Sequence, residues 1–267
     1  MLGLLKLILC ELQKYKRIRT VYFLTLFAVL FPCFLVFTTR NRVSKTADIP
    51  ALYEYYDYLF SNNLAYSFML FLPCLVGCMG AVIFFAERDN DTFKNLRVIP
   101  ITMRQLIFTK LVSLYVWVIL YSVLTTTAVT LLCALINHEM IYDFIFKILV
   151  SILTGFMMAS FSLPAVVAVI YFNQNYMVSL LISFSYSILQ WLLLILLAQH
   201  QTLVEFLPLI NGLFWGSLIL EYRKNILFHT PLSTVLFSDH LRVVILLFLS
   251  VGLSIFLILR FYKKSSR

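Results

Sequence analysis

The sequence predicts an all-α integral membrane protein with six transmembrane helices. Three observations carry this reading. Hydrophobic residues make up 62% of the 267 residues and charged residues only 12%, where soluble domains sit near about 45–50% and about 25%. Six apolar runs each approach or exceed the roughly 20 residues that a helix needs to cross a hydrocarbon core of about 30 Å. The runs are continuous, not alternating, which excludes the period-two pattern of an outer-membrane barrel. Open sheet edges do not survive in lipid.

Taken in order, residues 1–20 come first. Leu2, Leu5, Leu9, Leu12 and Lys16 fall on one helical stripe, with Glu11, Lys14 and Arg17 on a polar flank. This predicts an amphipathic helix on the membrane surface that leads into the first span. The stretch is too basic and interrupted for a cleavable signal peptide, so the first span is expected in the mature protein. The spans are expected at about 21–38, 64–86, 111–136, 144–171, 177–199 and 243–261. Gly155 and Pro164 predict a kink in the fourth. Residues 39–63 read as a loop in which Tyr53, Tyr55, Tyr56 and Tyr58 interleave with Glu54 and Asp57. Residues 206–220 (FLPLINGLFWGSLIL) are too short for a comfortable span and contain Pro208 and Gly212, which predicts a re-entrant or interface-lying segment before span 6. The whole chain, 1–267, reads as one transmembrane domain.

Charge sets the orientation. Six spans put both termini on one side, and Lys and Arg favour the cytoplasmic side. With the termini inside, only Arg40, Arg42, Lys45, Lys147, Arg223, Lys224 and Arg242 of the 21 Lys and Arg residues fall on or near the outer side. Both termini are therefore expected in the cytoplasm. The net charge of +9 does not imply nucleic acid, because the charges flank apolar runs and suit topology and anionic lipid. The five cysteines lie in or beside apolar segments and read as small buried thiols. Cys74 and Cys78 share a helix face at i and i+4, and no disulfide is expected there.

The chain shows no energy source of its own. None of its seven glycines is followed by Lys, so the phosphate-binding loop is missing. No Asp or Glu stands near the centre of a span, as ion-driven carriers require. His138, His200, His229 and His240 lie in loops or at span ends, and no polar pair at membrane depth suggests hydrolysis. No catalytic residue and no metal site is expected.

One stretch breaks the apolar pattern. Glu87 to Lys110 (ERDNDTFKNLRVIPITMRQLIFTK) holds five of the 21 Lys and Arg residues and three of the 12 Asp and Glu residues. Glu87, Asp89 and Asp91 crowd a helix start, where negative charge complements the dipole. Thr92 can cap a helix beginning at Phe93, and Pro100 ends it. Thr102 or a neighbour can cap the next helix. The expectation is a short helix across the inner membrane face, with Phe93, Leu96 and Val98 as apolar contacts. Such a helix seats in a groove of a cytoplasmic protein.

At these residues the chain resembles the permease subunits of type-2 ABC exporters. Glu87, Arg88, Thr92, Phe93, Lys94, Asn95, Leu96, Pro100, Arg104 and Lys110 match the family's pattern, while Asp91 stands where the family often has Gly. The resemblance implies that 87–110 holds the coupling helix that docks on an ATP-binding subunit, present in two copies, which carries the ATP and Mg. No cofactor is implied in this chain. It further implies a second permease, identical or a sister chain. Size, span number and aromatic-basic character resemble the permeases of lantibiotic-immunity and bacitracin-resistance transporters of the bacterial cell membrane, which expel a membrane-active peptide. Tyr53, Tyr55, Tyr56, Phe206, Phe214 and Trp215 are then candidate outer substrate contacts. Two alternatives stay open: a permease for another amphipathic drug or lipid-like substrate, and a non-transporting scaffold or sensor.

Overall fold

The computed structural model describes residues 2–40, 49–89, 102–172, 176–197, 204, 206–228 and 240–265. Within them the chain forms helices α1 (Leu2–Tyr15), α2 (Arg19–Thr39), α3 (Ile49–Asn63), a π-helical stretch (Leu64–Phe71), α4 (Leu72–Asp89), α5 (Met103–Ile136), α6 (Phe144–Phe172), α7 (Tyr176–Leu196), α8 (Pro208–Phe228) and α9 (His240–Ser265). Six stretches are long and apolar enough to cross a membrane: Arg19–Thr39, Ile49–Phe85, Met103–Ile136, Phe144–Phe172, Met177–Leu196 and His240–Phe261. All six expected spans are present. The antiparallel order places both chain ends at one end of the bundle, here the terminal end, and the 137–143 turn at the far end.

The second span is longer than its apolar run implied. Residues 49–63, expected as loop, are helical and continue without a break through the π-helical stretch into α4. Tyrosines interrupted by Glu54 and Asp57 look like loop composition, yet here Leu52, Tyr56 and Leu59 are buried at helical spacing. Burial overrides the polar appearance of the segment. The Ile49–Phe85 stretch is the centre of the bundle: 78% of its apolar window is buried, against 17% for His240–Phe261 and 22% for Met177–Leu196, whose outer faces are left for lipid.

The π-helical turn has a local cause. Pro73 carries no amide hydrogen, so α4 cannot continue the ordinary hydrogen-bond ladder backward through it. Leu72 N–H instead bonds the Ser67 carbonyl, five residues back. The Leu70 carbonyl accepts from Ser187 Oγ at 2.8 Å, which lends a side-chain donor to the loosened turn.

Close helix approach uses small residues. A Cβ added to Gly77 on α4 would meet Ser183 Oγ on α7, and one on Gly216 of α8 would lie 2.6 Å from Thr154 Oγ1 on α6. Hydroxyl groups knit other seams. Thr125 Oγ1 donates to Asn63 Oδ1 at 3.1 Å, Thr126 Oγ1 to Ser151 Oγ at 2.6 Å, and Ser250 Oγ to the Ser160 carbonyl at 2.9 Å. Such bonds average about 0.6 kcal/mol each in membranes. They fix register more than they add stability.

Helix α8 covers the expected 206–220 segment and extends past it to Phe228. Its first turn lies inside the bundle, where Leu209 N–H bonds Gln190 Oε1 at 3.3 Å and Gly212 packs on Phe161. Its last turns reach Asp143 at the far end.

Candidate functional site

Two charged clusters stand at opposite ends of the bundle. At the terminal end, Thr102 starts α5 with a capping box. Its Oγ1 accepts from Gln105 N–H at 3.4 Å, and its own N–H donates to Gln105 Oε1 at 3.1 Å. Two orphan backbone donors are thereby satisfied reciprocally. Two turns on, Lys110 is fully buried and donates to the Ile83 carbonyl at 2.6 Å, which ties α5 to the end of α4. Helix α1 packs against the same place. Its Glu11 is 3% exposed and accepts from Lys14 Nζ at 2.7 Å and Tyr15 Oη at 2.8 Å. Burial pushes the Glu11 carboxyl up, but the Lys110 charge and these hydrogen bonds outweigh it and hold the carboxyl below its ordinary value. The polar flank assigned to Glu11 thus faces protein, while Leu5 and Leu9 are exposed on the outside of α1.

Of the residues expected to couple to a partner, Arg104 is exposed on the first turn of α5 and Lys110 is enclosed. Glu87 and Arg88 lie on the last turn of α4. Thr92, Phe93, Lys94, Asn95, Leu96 and Pro100 lie outside the described residues.

The far end holds a network that the sequence reading missed. Asp57 on α3 accepts from Lys147 Nζ of α6 through Oδ1 and from Lys224 Nζ of α8 through Oδ2, both at 2.8 Å. The Lys147 side chain is 3% exposed, that of Lys224 38%. The Lys147 ammonium sits 3.4 Å from the Tyr56 ring centroid and 4.1 Å from that of Tyr142, a cation–π cage that offsets part of its lost hydration. Beside it, Asp143 caps the start of α6, where its carbonyl accepts from Lys147 N–H at 3.1 Å. Asp143 has φ 51°, a left-handed conformation that Asp tolerates better than most residues. Its carboxylate takes the Arg223 guanidinium in a bidentate pair, Nε–Oδ2 2.6 Å and Nη2–Oδ1 3.1 Å. The Arg223 hydrogen bond holds the Asp143 carboxyl below its ordinary value. Burial, together with the hydrogen bond and charge of Asp57, pushes the Tyr142 phenol far up, so it stays protonated. A cavity of ≈ 110 Å³ opens between these groups, lined by Asp57, Tyr142, Asp143, Phe146, Lys147 and Arg223 among others.

Charged residues nonetheless sit toward the ends of the long apolar helices. Lys110, Lys147 and Asp57 lie within the long apolar helices and are buried. Lys147 had the readable signal, a lysine three residues inside an apolar run. Its partner lies 90 positions away, and no local spacing reveals that.

The six expected outer contacts do not form one site. Tyr55 and Tyr56 are buried, Tyr55 against Thr39 Oγ1 at 3.1 Å. Tyr53 is half-buried, its ring 4.8 Å from Tyr142 and 6.0 Å from Phe228. Phe214 and half-buried Trp215 belong to the other half of α8, and Trp215 Nε1 donates to His240 Nδ1 at 2.9 Å. Phe206 is exposed, with the Arg242 guanidinium 5.5 Å from its ring. Thr126 and Thr127 bond carbonyls of their own helix, whereas Thr125 reaches across to Asn63.

Comparison with known proteins adds one finding. A family model described as ABC-2 family transporter protein matches residues 7–190, from within α1 to within α7, and leaves α8 and α9 beyond the match. No curated protein matched the chain.

Proposed function

The chain belongs to the ABC-2 family of transporter membrane proteins, and from that premise we propose that it exports an antimicrobial peptide from a bacterial cell membrane. It is a multi-pass membrane permease, a transport subunit and not a catalytic one. ABC-2 permeases pair with ATP-binding subunits, and two such subunits, with a second permease that is identical or a sister chain, complete the proposed exporter. The ATP and Mg reside on the ATP-binding subunits. The termini, and the terminal end of the bundle with them, face the cytoplasm. The far end faces outside, and α8 is the re-entrant segment before span 6.

The observation that carries the coupling part of this reading is the clamp at the terminal end. Residues 87–110 join α4 to α5, and the two helices are bolted together just above the join by Lys110 on the Ile83 carbonyl. Glu11 brings α1 into the same lock. A push on the segment between them is then delivered to a central helix and a neighbour as one body. Lys110 holds the segment's base from inside, while Arg104 and the residues from Glu87 to Pro100 meet the ATPase. The amphipathic α1, with Leu5 and Leu9 outward, lies on the inner leaflet.

The peptide-substrate reading rests on the aromatic, basic character of the chain and on the subfamily resemblance. An amphipathic drug or lipid-like substrate is the alternative within the same family. The coupling reading is tested by co-purification with candidate ATP-binding subunits. Phe93→Asp with Leu96→Asp is expected to abolish the complex while leaving the permease folded. An undiminished complex would sink the assignment.

A further inference from the structure

The last turns of α8 are built like a ligand seated in a site. Arg223 and Lys224 are consecutive, and each inserts into a different carboxylate: Arg223 into Asp143 at the start of α6, Lys224 into Asp57 on α3. The carboxylates belong to the packed bundle, with side chains only 11% and 21% exposed, whereas both cations are 38% exposed. Asp57 already has a permanent partner in Lys147, whose ammonium is caged by Tyr56 and Tyr142. Its second oxygen takes the half-exposed Lys224. The walls are aromatic: Phe146 lies 5.1 Å under the Arg223 guanidinium, and Tyr53 and Tyr142 meet Phe228 of α8 at 6.0 and 5.5 Å. Two carboxylates and one lysine on the bundle side leave one uncompensated negative charge before α8 arrives. The adjoining cavity of ≈ 110 Å³ admits further atoms.

We propose that the cradle formed by Asp57, Asp143, Tyr142 and Phe146 binds the basic side chains of an amphipathic cationic peptide, in competition with Arg223 and Lys224 of α8. The inference rests on the export reading and names the chemistry of its cargo. An amine or guanidinium on an apolar body replicates what α8 offers: charge for the carboxylates and an apolar stem for the rings. The half-exposed Lys224–Asp57 pair is worth little, so the last turns of α8, unlike its buried first half, are a displaceable occupant, and the buried Lys147–Asp57 pair keeps the cradle in shape when they leave. Neutral or anionic amphiphiles have nothing to exchange with Arg223 and Lys224. Helix α8 lies beyond the residues that the family model matches.

The test uses the full chain in lipid nanodiscs without an ATP-binding subunit. The probe is a fluorescent amphipathic peptide of Leu, Phe and Lys, and its control has Gln in place of Lys. Arg223→Gln with Lys224→Gln is expected to bind the Lys probe about tenfold tighter than the parent, as it would if α8 leaves the cradle open about one-tenth of the time. Adding Asp57→Asn and Asp143→Asn is expected to remove that gain, and the Gln probe is expected to ignore every variant. A folded Arg223→Gln, Lys224→Gln protein that binds the Lys probe no tighter overturns the proposal. A second measurement needs no variant: a photoreactive lysine in the probe should cross-link the parent chain within 53–61 or 142–147. Cross-links confined to α2, α7 and α9 would overturn the proposal as well. The co-purification test above concerns the opposite end of the bundle and no probe, so failure here with an intact ATPase complex rejects the cradle alone.

Discussion

Lys147 and Lys224 share one carboxylate, yet they carry different weight. Lys147 is sealed between Tyr56, Tyr142 and Asp57, whereas Lys224 keeps much of its hydration. Lys147→Ala leaves Asp57 in a water-poor cage with a single cation at its edge. The expected cost approaches the roughly 3–5 kcal/mol seen when a buried pair is broken. Lys224→Ala removes a half-exposed partner, worth under about 1 kcal/mol. Thermal melts in detergent should show the first variant shifted far more than the second, and equal shifts would remove Lys147 from its role as the anchor. At this scale the sequence was least legible. Glu11 looked like surface charge and is enclosed, Lys110 looked like a contact residue and is enclosed, and Asp57 looked like loop. A charged residue's burial depends on a partner from another helix, and the Lys147–Asp57 pair spans 90 positions.

At the scale of elements, most of the architecture could be read in advance, because span length and apolar continuity are local properties that lipid enforces. The expected fourth span at 144–171 ends one residue short of α6 (Phe144–Phe172), and the cap at Thr102 is present. The reading stopped at helix 49–63, where aromatic burial outweighs polar composition. How closely two helices approach is a further thing composition does not show. Gly77 marks the α4–α7 crossing, where Ser183 Oγ and Cβ occupy the space a methyl would need. In a free helix Gly→Ala gains about 0.5–1 kcal/mol, while overpacking costs about 1–3 kcal/mol. Gly77→Ala is therefore expected to destabilise the protein, and Ser183→Gly should rescue it. A stabilised Gly77→Ala protein would show that the crossing has room to relax.

The whole molecule has two differently charged ends, and this sets the orientation test. In a cysteine-free background, Glu139→Cys, exposed on the short turn between α5 and α6, should react with a membrane-impermeant maleimide added outside intact cells. Arg104→Cys should react only after permeabilisation. The reverse pattern would invert the assignment of both ends, coupling segment included. The membrane class and the family were legible in the sequence because the first follows from bulk composition and the second from a short motif. The far-end cradle was not, because it is assembled from α3 and from the α5–α6 turn with the first residues of α6, pieces separated by long apolar runs.

The lock at the terminal end also bears on the order in which the protein is made. Glu11 is synthesised well before the buried lysine that offsets its charge, Lys110, at the base of the third span. A ribosome that has produced only the first two spans leaves Glu11 to water and to Lys14. Helix α1 thus reaches the membrane ahead of the third span but takes its final seat only after that span has been inserted. Its docking marks the point at which the first half of the permease has been assembled in register.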